Sequence, residues 1–378
     1  MQISRKSIFA RCVVTGSLAL ASVFGFAQFN SHPTLKIGDP APSIKVQTWL
    51  RGQPVTHFEK GKVYVVDFWA TWCGGCIASF PHISAIAQKY NDRVSFISVD
   101  SYEEFDELKG KDPVPAVTKF LETDRGKKLT LPVCVDGTSE TMYNTWIKTL
   151  RRTGFPTTFV IDQDGKIAWV DVNLDHLDWV LGQVLAKTWN RDKAAAVMQH
   201  RDNLEDTVFA LLQNKDADKS KAWQQLLAAA QADEKQFPDR QDAFVFYEFW
   251  PTLEIAPDKV AAVLERMEAD PLTKAINLRD AGSLTLRKNN LSRRTYAAVA
   301  KIEERLLNYE FPSQGYGGKT VMVYSELAEA YDKAGEPAKS IAPMEKAIAV
   351  ANDGKTPAEQ IKKLQDALAT YKADAGRS

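Results

Sequence analysis

A nearly unbroken apolar run at residues 63–69 ends just before two cysteines, Cys73 and Cys76. Such a run is typical of a central parallel strand that is covered on both faces. The segment from Gly74 to Tyr90 then has the pattern of a helix, so the cysteine pair opens that helix directly after a strand. This arrangement restricts the first half of the chain to an α/β fold.

The position of the two cysteines predicts redox chemistry. Cysteines at positions i and i+3 of a first helical turn can bring their sulfur atoms within bonding distance. Unpaired backbone N–H groups and the positive end of the helix dipole favour a thiolate there, and the thiolate is the attacking species in disulfide exchange. A zinc site would need two further ligands, and the sequence has no second cysteine pair or matched histidine pair. A purely structural disulfide is disfavoured because so short a loop offers little entropic gain.

Further strand and helix signals predict a mixed sheet flanked by helices. Strands are expected at Val94–Val99 and Leu131–Val135, and a hairpin at residues 157–170 around Asp-Gln-Asp-Gly. Residues 102–128 read as a helical insertion, and residues 139–150 as a helix. A last helix after Asp175 leads towards Asn190.

Beyond residue 190 the strand signals disappear and helix-forming residues dominate. Seven prolines are predicted to divide this half into helices of ordinary length; they are Pro238, Pro251, Pro257, Pro271, Pro312, Pro337 and Pro357. Residues 324–347 fit the spacing of one tetratricopeptide helix pair, although no second copy precedes it by one repeat length. We therefore predict an α-helical, TPR-like domain of helical hairpins at residues 191–378, after an α/β domain at residues 28–190.

The first 27 residues have the pattern of a secretory signal peptide. Arg5, Lys6 and Arg11 precede an apolar run, which ends in small residues at Gly25-Phe26-Ala27. The run is short for a membrane span, so an uncleaved anchor is the less favoured alternative. Lys and Arg number 48, as do Asp and Glu, which gives no indication of a nucleic-acid partner.

Residues 68–76, Phe-Trp-Ala-Thr-Trp-Cys-Gly-Gly-Cys, resemble the active-site strand and turn of thioredoxins. Together with the predicted leader and the segment Gly-Phe-Pro-Thr-Thr-Phe-Val-Ile-Asp at residues 154–162, they most resemble the TlpA/ResA-like thioredoxins of the bacterial cell envelope. The resemblance covers roughly residues 36–190. It implies a thioredoxin fold for that part and says nothing about the helical half.

The resemblance implies roles for several residues. Cys73 would be the nucleophile and Cys76 the resolving thiol, joined as a redox disulfide. Pro156 stands where the family has a cis-proline that shapes the substrate groove beside Phe155, and Pro81 stands where the active-site helix is kinked. These positions define the expected substrate groove and redox centre.

Asp67 matches the family's buried acid, which helps to deprotonate the resolving cysteine. An acid in so apolar a strand is costly unless it has a task, and burial would raise its pKa towards a value useful for a general base. The alternative is a strand-end carboxylate that faces water. Trp72 is predicted to shield the cysteine pair and to contact substrate polypeptide, or else only to pack.

The sequence also departs from the family's pattern. Gly75 stands where relatives usually have proline, and Ser79 where they commonly have glutamate. Phe96 replaces a lysine of cytoplasmic-type thioredoxins. Cys134 is interpreted as a small buried hydrophobic residue on a strand, with a third redox thiol as the alternative.

These observations predict an exported, periplasmic or otherwise extracytoplasmic, thiol–disulfide oxidoreductase that reduces protein disulfides. No bound cofactor or metal is expected, and an upstream thiol donor would supply the electrons. An oxidase or isomerase using the same pair is the alternative within this class. A partner-binding scaffold, in which the helical domain carries the function, is the alternative outside it.

Overall fold

The computed structural model describes residues 28–29, 33–103, 110–213, 219–309, 320–354 and 356–377. The predicted signal peptide at residues 1–27 lies outside the described residues. The strands within these ranges are β1 (Gln28–Phe29), β2 (Thr48–Arg51), β3 (Val63–Trp69), β4 (Val94–Asp100), β5 (Val133–Val135), β6 (Arg152–Thr153), β7 (Thr157–Ile161) and β8 (Ile167–Asp171).

Six of these strands form one mixed sheet in the order β2-β5-β4-β3-β7-β8. The central strand β3 pairs in parallel with β4 and antiparallel with β7. The predicted hairpin is confirmed as β7 and β8, which are antiparallel neighbours. The short strands β1 and β6 pair separately and antiparallel, with Gln28 opposite Thr153 and Phe29 opposite Arg152.

Both faces of β3 are buried, which explains its nearly unbroken apolar sequence. Val65 and Trp69 belong to a core cluster with Phe80 of helix α1 (Gly74–Tyr90). Tyr64 and Phe68 belong to a second cluster on the opposite face. Successive side chains of a strand point to opposite faces of the sheet, so a strand covered on both sides needs apolar residues at nearly every position, and Asp67 is the exception in β3. The central-strand prediction is confirmed.

The helices between the strands differ in part from the predictions. Helix α1 has the predicted bounds, while the region of residues 102–128 contains helix α2 (Val114–Leu121) and a 3₁₀ turn at Gly126–Lys128. The helix predicted at residues 139–150 is shorter and contains a π-helical turn at Tyr143–Ile147. Asp136 fixes its start, because its carboxylate accepts hydrogen bonds from the backbone N–H groups of Met142 and Tyr143, each at 2.8 Å.

The remainder of the described chain is largely helical, as predicted. After α3 (Leu177–Leu185) the helices are α4 (Arg191–Gln213), α5 (Lys219–Gln236), α6 (Val245–Ile255), α7 (Val260–Ala269), α8 (Ala275–Leu286), α9 (Arg293–Leu307), α10 (Val321–Lys333), α11 (Pro337–Asp353) and α12 (Ala358–Ala375). Of the predicted breaks, Pro312 lies outside the described residues, and the one at Pro251 is wrong, because Pro251 lies inside α6. Pro251 is buried there, and this burial offsets the cost of the lost backbone hydrogen bond.

The predicted helix pair is formed by α10 and α11. Ala328 of α10 and Met344 and Ala347 of α11 share a small apolar cluster with Tyr371 of α12. Gly335 takes a positive φ of 85° in the turn between α10 and α11, a conformation that glycine adopts without steric cost. Membership of the tetratricopeptide class stays a prediction.

Buried polar contacts join the helical region to the edge of the sheet. Lys274 Nζ lies 2.6 Å from Asp171 Oδ2 at the end of β8, and Arg201 of α4 faces the same carboxylate. Asp175 accepts hydrogen bonds from the backbone N–H of Ala275 and from the Tyr309 hydroxyl. Although burial alone would raise the pKa of Asp171, the charges of Lys274 and Arg201 hold it well below its usual range. Over the described part of the chain, none of the helices combines the length and apolar character needed to cross a membrane.

Candidate functional site: a redox-active cysteine pair

Cys73 and Cys76 form a disulfide at the N-terminus of α1, with their Cα atoms 5.3 Å apart. Cys73 is the N-cap residue, and its Sγ accepts a hydrogen bond from the backbone N–H of Cys76 at 3.2 Å. The first turn of α1 contains no acidic residue, so no carboxylate opposes the positive end of the helix dipole. This environment favours negative charge on the first sulfur once the bond is reduced.

The two cysteines differ in accessibility. Cys73 keeps 6% of its surface exposed, whereas Cys76 keeps 1%. Gly74 between them is exposed, and a side chain there would meet no neighbouring atom within 4 Å. Ser79, at the position where relatives commonly have glutamate, is buried and donates its hydroxyl to the Cys76 carbonyl at 2.7 Å. An incoming sulfur atom therefore reaches Cys73 more easily than Cys76.

Asp67 is buried in β3, with 4% of its surface exposed, so the water-facing alternative is wrong. Its Oδ1 accepts a hydrogen bond from the Thr158 hydroxyl at 2.6 Å, because Asp67 and Thr158 are directly opposed in the β3–β7 pair. Burial raises the pKa of Asp67 to about 7, and the Thr158 hydrogen bond limits that rise. Strand alternation places Asp67 on the face that Val65 and Trp69 share with Cys76.

The other predicted residues are Trp72, Phe155, Pro156 and Pro81. The peptide bond between Phe155 and Pro156 is cis, in agreement with the resemblance. Trp72 is 41% exposed, and its ring centroid lies 5.9 Å from that of Phe155. Pro81 lies inside α1, as expected. The structure thus brings together the residues that the sequence singled out from three separate segments.

Residues 101–103 also contact the turn before Cys73, and sequence reasoning missed them. The Glu103 carboxylate accepts hydrogen bonds from the backbone N–H and the hydroxyl of Thr71, at 2.5 and 2.7 Å. The Tyr102 carbonyl accepts a hydrogen bond from the Trp72 indole at 3.0 Å. The sequence signal was their position directly after the strand end at Asp100, since the ends of parallel neighbours β3 and β4 meet at one edge of the sheet. The interpretation of residues 102–128 as an insertion obscured that signal.

Cys134 does not share the site. Its side chain is fully buried on β5 in the core cluster of Phe68 and Trp146, across the sheet from the cluster of Cys73 and Cys76. Burial is the main cause that raises the pKa of its thiol far above the usual range. Its environment fits the predicted buried hydrophobic residue. Among the described residues, no group of three or more His, Cys, Asp or Glu side chains is placed to hold a metal ion.

Comparisons with known proteins show what the part of the chain that holds the cysteine pair is similar to. The Redoxin family profile matches residues 36–178. Protein FixW of Rhizobium leguminosarum is 35% identical over 160 residues, which cover 41% of this chain and 69% of FixW. The thiol-disulfide oxidoreductase ResA of Bacillus cereus is 30% identical over 157 residues, which cover 41% of this chain and 79% of ResA. The crystal structure of StoA from Bacillus subtilis is similar at 19% identity and a TM-score of 0.29, covering 38% of this chain and 99% of StoA.

Proposed function

Because this chain belongs to the redoxin family and is a thioredoxin-like thiol-disulfide oxidoreductase, we propose that it reduces protein disulfides outside the cytoplasm through Cys73 and Cys76. The observation that carries the proposal is the disulfide at the N-terminus of α1, with the more accessible sulfur at the N-cap. The predicted signal peptide at residues 1–27 supports the extracytoplasmic location. Residues 28–190 would be the redox domain, and residues 191–378 a helical domain that recruits a protein partner.

The reaction begins with the reduced pair. The Cys73 thiolate attacks one sulfur of the substrate disulfide, forms a mixed disulfide and releases the other substrate sulfur as a thiolate. The Cys76 thiolate then attacks Cys73 Sγ, so the mixed disulfide breaks and the second substrate sulfur leaves. Two electrons have passed to the substrate, and Cys73 and Cys76 are joined again. An external thiol donor restores the dithiol.

Asp67 is the proposed proton acceptor for Cys76. Its pKa of about 7 means that a large fraction of the carboxyl is ionised at neutral pH and can take the thiol proton, directly or through one water. The Thr158 hydroxyl holds the carboxyl in place. The proton returns to the pair when the external donor reduces it.

The proposal is tested by the reduction potential of the protein from Gln28 onward, equilibrated in glutathione buffers and quantified by thiol alkylation. We expect a two-electron transition near or below about −230 mV, within the range of thioredoxin-like reductases. A value near −120 to −180 mV would indicate an oxidase or isomerase instead. No transition at all would leave the helical region as the carrier of function.

Variants of the cysteines distinguish the proposed enzyme from the alternative of a partner-binding scaffold. Cys76→Ser should accumulate the mixed disulfide between Cys73 and substrate, and Cys73→Ser should form none. Cys134→Ala is the matched control, because it removes a thiol on the other face of the sheet. If the double variant Cys73→Ser/Cys76→Ser retains full biological activity, the scaffold alternative is correct.

A further inference from the structure

Four aromatic side chains form one continuous surface beside the disulfide. The ring centroids of Trp72 and Phe155 are 5.9 Å apart, and those of Phe155 and Tyr143 are 6.1 Å apart. Tyr143 and Tyr102 are stacked, with centroids 4.5 Å apart and ring planes at 21°. Trp72 immediately precedes Cys73. We call these four residues the aromatic surface.

The backbone is irregular at both tyrosines of the aromatic surface. Tyr102 has a φ of 57°, in the left-handed region that a bulky residue rarely adopts. Tyr143 is the first residue of the π-helical turn Tyr143–Ile147. Both conformations are unfavourable without compensation, and both occur preferentially at functional sites. Both rings are partly exposed, and Tyr143 also packs against the core cluster that contains Phe68 and Trp146, so the two rings lie where that core meets the solvent.

Hydrogen bonds fix the aromatic surface to the active-site turn. The Trp72 indole donates to the carbonyl of Tyr102, and Glu103 receives two hydrogen bonds from Thr71. The surface is therefore ordered before a substrate arrives, which lowers the conformational entropy lost on binding.

The location of the aromatic surface indicates what binds to it. A substrate disulfide must reach Cys73, so the residues that flank the substrate's cysteine pass beside Trp72. The Tyr143 ring is two steps from Trp72, of 5.9 and 6.1 Å, which together correspond to at most about four residues of extended chain at about 3.3 Å per residue. Aromatic faces attract aromatic side chains through offset and edge-to-face contacts.

We propose that Tyr102 and Tyr143 determine substrate specificity, by binding an aromatic side chain within about four positions of the reacting cysteine of a polypeptide. This inference rests on the proposed disulfide-reducing function. Small disulfides without such a side chain react at Cys73 without contacting the two tyrosines.

The test measures kcat/KM for three kinds of substrate, each reduced by the full chain in the presence of an external dithiol. Two peptides contain the same disulfide and differ only in having Phe or Ala at one of the four positions after the cysteine, and such a pair is made for each position. The third substrate is oxidised glutathione. We expect kcat/KM for the Phe peptide to exceed that for the Ala peptide about tenfold in at least one pair, the size typical of a good aromatic contact. In Tyr143→Ala and Tyr102→Gly that preference should fall to within about twofold, with glutathione reduction unchanged.

Further variants distinguish a role of the two tyrosines in substrate recognition from a role in stabilising the fold. Tyr102→Gly accommodates the left-handed backbone and keeps the carbonyl that binds Trp72, and Tyr143→Phe keeps the ring, so it should retain the preference. Phe209→Ala is the matched control, because Phe209 and Trp72 are the large apolar side chains that are exposed among the described residues. Equal rates on both peptides of every pair in the parent chain, or equal losses on all three substrates in the variants, would overturn the inference. If the parent chain reduces none of the three, the proposed function itself fails.

Discussion

Replacing Asp67 with Asn tests whether a buried carboxyl serves the cysteine pair at the expense of stability. Asn has the same shape as Asp, and its carbonyl oxygen can still accept the hydrogen bond from Thr158. It cannot ionise, however, so the variant keeps the packing and removes only the proton exchange. We therefore expect Asp67→Asn to stabilise the folded chain and, at the same time, to slow the release of substrate from the mixed disulfide.

The size of the stability effect follows from the pKa. The folded chain raises the pKa of Asp67 from 3.8 to about 7, a difference of about 3 units, and each unit corresponds to about 1.4 kcal/mol. Because the folded state holds the proton more tightly than the unfolded state, folding takes up a proton between about pH 4 and pH 7. The free energy of unfolding therefore falls across this window, by about 4 kcal/mol in total, and stays low at higher pH.

Urea unfolding of the oxidised chain between pH 4 and pH 9 measures this effect. Asp67→Asn should lose the part of the decline that is due to Asp67, and exceed the parent chain by up to about 4 kcal/mol at pH 8, with little difference near pH 4. Single-turnover reduction of a peptide disulfide at pH 7 should show release from the mixed disulfide slowed by about 10²-fold, the lower range for general-base catalysis.

Thr158→Val is the companion variant. It removes the hydrogen bond that lowers the pKa of Asp67, so the pH–rate profile should move to higher pH while the general base is retained. If Asp67→Asn keeps both the parent chain's pH-dependent stability and its rate, the carboxyl is neither strained by burial nor used by the cysteine pair, and the reasoning is refuted.

Three further predictions concern the rest of the chain. Asp171→Asn leaves Lys274 buried without its charge partner, so urea unfolding should show a loss of about 3–5 kcal/mol, whereas Lys89→Ala, at an exposed ion pair, should cost less than about 1 kcal/mol. Burial raises the pKa of Glu303, so Glu303→Gln, which cannot ionise, should raise the free energy of unfolding at pH 8 and make it depend less on pH; an unchanged pH dependence would contradict this. Cys134→Ala should leave the reduction potential unchanged, and a shift in the titration midpoint would assign that thiol a redox role.

Much of the fold around the cysteine pair could be predicted because its signals are local. The apolar run of β3, the helical pattern of Gly74–Tyr90 and the turn residues between β7 and β8 each depend on a few consecutive residues. The resemblance to TlpA/ResA-like thioredoxins predicted the cis bond at Pro156 and the burial of Asp67, which the periodicity of the sequence does not encode. The break expected at Pro251 failed, because tertiary packing outweighed the local cost of a proline in a helix.

The sequence by itself determined the chemistry of this protein, because two cysteines at the start of a helix carry their reactivity in their spacing and position. Only the tertiary structure decided what surrounds them. The stacking of Tyr102 on Tyr143 and the ion pair of Asp171 with Lys274, which lie 103 residues apart, depend on strand order and on how helices pack. Contacts between distant segments form because burial brings whole elements together, and no local pattern records which side chains then meet.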